Sequence, residues 1–167
     1  MKPASWMVAV VLALGACGKS ADGPAPEPPK METPKASATW LAKAINDRKA
    51  AAGLALLPSD DAVRKALDCP GDEIVKRLAD QRAKAPKDFE KLPPDTTVAL
   101  GAFDKEGTEE KILKPGEAYE GCKTKVMVTV HKARLELQFT KGGKTDYDGE
   151  TWTFLKFGEE EKWYFVD

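Results

Sequence analysis

The spacing of apolar residues along the chain changes three times. From Trp6 to Leu14 apolar residues follow one another without interruption, after the single cation Lys2. From Gly18 to Ser37 almost nothing is apolar, and Pro24, Pro26, Pro28, Pro29 and Pro34 break the segment up. From Ala38 the spacing is helical: Trp40, Leu41, Ala44 and Ile45 share one face. Ser37 or Thr39 is suited to cap that helix, and Asn46-Asp47 to interrupt it. Ala50 to Leu57 continues it, with a weak point at Gly53, until Pro58. Ser59-Asp60-Asp61 caps a short helix through Leu67, and Cys69-Pro70-Gly71-Asp72 turns. A third helix is expected from about Asp72 to Ala85, with Ile74, Val75, Leu78 and Ala79 on its apolar face and Pro86 ending it.

Past Pro93-Pro94 the period drops to two. Val98, Leu100 and Ala102 alternate, Asp104 to Gly107 turns, and Lys111 to Lys114 is a short strand. From Lys123 the apolar set is Val126, Val128 and Val130, but from Ala133 it is Ala133, Leu135, Leu137 and Phe139. That change of phase predicts a bulge or bend near His131-Lys132. Lys141-Gly142-Gly143-Lys144 reads as a hairpin turn. Thr151–Phe157 and Lys162–Val166 are strands apolar on both faces, expected mid-sheet, with Gly158 to Glu161 turning between them. Helices followed by antiparallel strands give an α+β class. A first helix ending in Leu54-Ala55-Leu56-Leu57-Pro58, long bent strands and the closing Lys162-Trp163-Tyr164-Phe165-Val166-Asp167 together resemble the NTF2-like or cystatin-like superfamily. The resemblance covers Ala38–Asp167 and implies N-terminal helices packed on a curved antiparallel sheet, a cone with an inner cavity.

The apolar run at the start is too short to span a membrane, which takes about 20 residues, and has the length of a signal-peptide core. It ends in Leu14-Gly15-Ala16-Cys17, which resembles the bacterial lipobox. That resemblance implies cleavage before Cys17 and acylation of its thiol. Two or three acyl chains anchor a protein stably, because each buried CH₂ contributes roughly 0.8 kcal/mol. An ordinary cleaved signal with a chance cysteine is the alternative. The organisation expected is a lipoprotein signal peptide at 1–16, a lipidated Cys17 with a disordered proline-rich linker at 17–37, and one α+β domain at 38–167. A polyproline-like linker of some 20 residues reaches up to roughly 60 Å. Gly18 after the cysteine, in place of a retaining aspartate, points to the outer membrane in a two-membrane envelope.

The chain has 3 cysteines. Lipid on Cys17 leaves Cys69 and Cys122 as an even pair in an oxidising compartment, where a Cys69–Cys122 disulfide is expected and two separate buried thiols are the alternative. The charge is nearly balanced, 26 Lys+Arg against 27 Asp+Glu, with no basic stripe of the kind a nucleic-acid binder carries.

Chemistry is sparse. The sequence contains no G-x-S-x-G, H-E-x-x-H, C-x-x-C, P-loop or G-x-G-x-x-G motif. There is 1 histidine, so a histidine-built metal site is not expected, nor is a cofactor. Enzymes of the NTF2-like superfamily keep Asp, His or Tyr inside the cone, which implies His131, Tyr119, Asp146 and Tyr147 as candidates. His131 is the foremost, because the expected bend would aim it inward and imidazole suits general-base work. Against it stands a plain exposed strand position between Val130 and Lys132. Trp152, Phe154, Phe157, Trp163, Tyr164 and Phe165 read as core, some of them as the lining of an apolar pocket. The expected function is therefore a lipid-anchored envelope protein that binds a protein or an apolar small molecule at its curved sheet, without catalysis. The competing reading is a small hydrolase or isomerase using His131, and a structural assembly factor is a third. Cys17→Ala should move the protein from the membrane to the soluble fraction; unchanged fractionation would exclude anchoring by lipid on that residue.

Overall fold

The computed structural model describes residues 30–103 and 108–166. The leader, Cys17 and the turn at Asp104–Gly107 lie outside the described residues. Helix α1 spans Pro34–Asn46. The side chain of Thr33 accepts from the Ala36 amide and Pro34 fills the first helical position, so the helix starts inside the stretch read as linker and ahead of Ser37. Helix α2 is Ala50–Leu54 and α3 is Asp60–Ala66, the latter capped by Ser59 Oγ on the Ala62 amide. Strand β1, Leu67–Asp68, leads through a 3₁₀ turn at Pro70–Asp72 into helix α4, Glu73–Glu90.

Helix α4 does not stop at Pro86. It runs one turn further, because that turn lays Phe89 onto Gly53 and Leu41. A Cβ at Gly53 would sit 2.8 Å from Phe89 Cζ, so the glycine that weakens α2 is also the seat of the ring. Tertiary packing outweighs the missing amide here.

The strands that follow are β2 (Thr96–Phe103), β3 (Glu109–Leu113), β4 (Ala118–Tyr119), β5 (Cys122–Thr124), β6 (Val128–Lys141), β7 (Lys144–Phe157) and β8 (Tyr164–Phe165). The main sheet is antiparallel, in the order β2-β6-β7-β8, with β3 beside β6 beyond the end of β2. It curls into a half-barrel, an α+β architecture with helices laid on the sheet. A small sheet, β1-β5-β4, stands apart. The segment read as one strand from Lys123 is split between β5 and β6. The last strand is short and lies at the sheet edge, rather than mid-sheet.

The predicted bulge at His131-Lys132 is absent. β6 and β7 pair without a break from Val128↔Phe157 to Lys141↔Lys144. The phase changes because the covered face changes. Val128, Val130, Leu155 and Phe157 share one face and pack with Val63, Ile74, Val75 and Leu78 of α3 and α4. Ala133, Leu135, Leu137, Trp152 and Phe154 take the other face, by strict alternation, and pack with Met31, Leu41, Ala42 and Leu56. One ribbon thus serves two cores. The register shift falls in β2 instead, between Leu100 and Ala102, where a Cβ on Gly101 would lie 3.2 Å from the Glu136 carbonyl.

Hydrogen bonds tie the helical region to β8. Ser37 Oγ, fully buried, donates to the Trp163 carbonyl at 3.1 Å. The Trp163 amide donates to Met31 and the Phe165 amide to Leu56. Cys69 and Cys122 form a disulfide across a separation of 53 residues, beside the pairing of Asp68 with Lys123. Closing a loop of that length limits the unfolded chain by about 4 kcal/mol in the chain-entropy account. Reduction should therefore lower the thermal midpoint by more than about 10 °C; a calorimetric scan with and without dithiothreitol checks this, and an unchanged midpoint would refute it.

Candidate functional site

Two places carry the site residues, and they are separate. The first surrounds His131. Its side chain is 11% exposed, so it is not the plain exposed strand position weighed against it. Phe103 stacks on it with 6.1 Å between ring centroids, and Trp163 meets it edge-on at 5.9 Å. Nδ1 lies 3.2 Å from Oε2 of Glu110, its direct cross-strand neighbour in β3. Register alone creates this pair. Glu110 was not singled out from the sequence, because nothing in a chain of single spacings says which residue of β3 falls opposite His131.

Asp146 and Tyr147 are not brought to His131. His131 pairs with Phe154 on β7, whereas Asp146 pairs with Phe139 and Tyr147 with Gln138. At about 3.3 Å per strand residue, both lie more than about 20 Å along the sheet from His131. Tyr147 is 62% exposed, and Tyr119 is buried in the core beside Cys122. The acid–base constellation around His131 with Asp146 and Tyr147 is therefore not assembled. Among the described residues no group of three or more His, Cys, Asp or Glu is placed to hold a metal ion, and no helix is long and apolar enough to cross a membrane.

The second place is a groove of about 500 Å³ between α1, α2, α4 and the sheet. Leu41 and Ile45 of α1, Leu54 and Leu57 around α2, and Phe89 of α4 form one wall; Trp152 and Phe165 form the other. The two aromatic rings of the sheet wall brace each other, 4.9 Å apart and tilted by 50°. Trp40 Nε1 donates to the Ala52 carbonyl at 2.9 Å and fixes α1 against α2, which sets the groove width. Gln81, Lys84, Asp88, Glu150 and Thr151 supply its polar rim. Trp152 and Phe165 were among the aromatics read as core or pocket. Phe89 was missed because Pro86 was expected to end its helix. His131 does not line this groove.

Comparison with protein-family models, with curated proteins and with solved structures finds no match to this chain.

Tyr164, paired with Leu155 next to the groove residue Phe165, has a strongly displaced phenol. Burial chiefly, and then the hydrogen bond to Glu160 at 2.9 Å and that carboxylate's charge, push it up to about 12. The neutral phenol is thus favoured by folding. Its contribution to stability is complete below pH 10, the unfolded value, and is lost as pH rises toward 12. Ultraviolet titration should show one tyrosine ionising near 12 that is missing from Tyr164→Phe; ionisation of all tyrosines near 10 in the folded protein would contradict it.

Proposed function

We propose that this protein is a lipid-anchored component of a bacterial cell envelope, outer-membrane where two membranes exist, whose single domain is a non-catalytic binding module of the NTF2-like kind. The lipobox at Leu14–Cys17 and the proline-rich segment after it support anchoring and spacing. The curled sheet with helices laid against it supports the fold assignment.

The groove of about 500 Å³ carries the binding reading. Ligand pockets of about 300–1,000 Å³ are characteristically walled by apolar and aromatic side chains with a few polar groups at the rim, and this groove has that make-up. It holds an apolar portion of the partner. The enzyme alternative has less support. His131 is clamped between Phe103 and Trp163 with Glu110 beside it, and the further groups expected to assist it lie elsewhere on the sheet.

Anilinonaphthalene sulfonate, an apolar fluorescent probe, should bind the full chain and quench Trp152 by energy transfer. Ala85→Trp, which places an indole in the groove from α4, should weaken the probe at least about tenfold, a loss of about 1.4 kcal/mol, without lowering the thermal midpoint. Equal probe binding by the variant would remove the groove as the site.

A further inference from the structure

The two long edges of the main sheet are treated differently. The outer edge of β2 is closed at its start: Asn46 Oδ1 accepts from the Val98 amide at 2.9 Å, and Arg48 donates to the Pro93 and Thr96 carbonyls. The outer edge of β7 is open. β8 pairs with it only at Phe154 and Leu155, and the Val166 amide reaches the Thr153 carbonyl. Among the described residues no strand pairs with that edge from Lys144 to Trp152. Since the Thr153 carbonyl points outward, antiparallel alternation turns the backbone groups of Thr151, Gly149, Tyr147 and Thr145 outward too. An open row of donors and acceptors of this length is a template for another strand.

The side chains along this edge say which strand. Asp146, Asp148 and Glu150 alternate on one face, about 6.6 Å apart, all exposed and none in an ion pair among the described residues. A second copy is disfavoured: a two-fold antiparallel pairing centred on Asp148 sets Asp148 against itself and Asp146 against Glu150. Like charges directly opposite are destabilising, and opposite charges are favourable. The next residue on the same face is Trp152, a wall of the apolar groove, which Glu150 and Thr151 also line. The acidic edge therefore runs straight into the groove.

We infer that the partner of this protein is an extended segment of another protein that adds as a strand to β7, with Lys or Arg at every second residue facing Asp146, Asp148 and Glu150 and one apolar residue entering the groove beside Trp152. The inference rests on the binding reading and names its partner class. Both neighbours of β7 are antiparallel to it, so the added segment runs from the apolar residue toward the cations.

The test uses the full chain and a labelled peptide, Leu-Thr-Lys-Thr-Lys-Thr-Lys, with a glutamate version as its counterpart. Fluorescence anisotropy should show the lysine peptide binding at least tenfold tighter, with affinity falling as salt rises. Asp146→Lys with Asp148→Lys should invert that preference. Gly149→Pro removes an outward amide and leaves the β6 ladder intact, and should weaken the lysine peptide at least tenfold. In the unaltered protein the amides of Tyr147, Gly149 and Thr151 should exchange more slowly with peptide bound. Equal binding of the two peptides, or no slowing at those amides, would overturn the inference. If the peptides fail while Ala85→Trp still blocks the fluorescent probe, the edge assignment falls and the groove reading stands.

Discussion

The constraint on which the structure depends is that one unbroken antiparallel ribbon must be dry on opposite faces at successive stretches. β6 and β7 stay in register throughout, so no bulge relieves the change. The helices answer it instead: α3 and α4 cover the face carrying Val128 and Phe157, and α1 with the segment at Met31 and Leu56 covers the face carrying Ala133 and Phe154. Phe154, 1% exposed, sits where the two coverings meet and touches the rings of Phe103 and Phe165. Deleting such a ring typically costs about 3–5 kcal/mol, which places the switch point among the most consequential positions of the fold.

The groove follows from that arrangement. Two helical layers on two faces leave a seam, and the seam opens where α4 passes α2 at Phe89 and Gly53. The disulfide fixes the far core, beside the small sheet, so the long-range burden there does not fall on apolar contacts alone. His131 takes the place of a core residue and is tied to Glu110 across the strands. Its ring is held between Phe103, stacked on it, and Trp163, edge-on.

Among the described residues, the outer edge of β7 from Lys144 to Trp152 has no partner strand. Charges on an exposed edge commonly guard against self-pairing, and the acidic row does that here. The same row is selective, because what repels an identical strand attracts a basic one.

Much of this was legible in the residues themselves. The helical spacing at Leu41, the cap at Ser59, the hairpin at Gly142-Gly143 and the even cysteine pair each rest on local chemistry, and each fell where it was expected. Two local rules failed for tertiary reasons. Pro86 did not stop α4, because Phe89 had a seat to reach, and the phase change at His131 marked a change of covered face, not a bulge. The pairing of His131 with Glu110, the distance that keeps Asp146 and Tyr147 away, and the groove walled by Leu41, Phe89 and Trp152 were decided by the tertiary structure alone. Spacing along a chain specifies which face a residue takes within its own element. Only packing between elements specifies what that face meets.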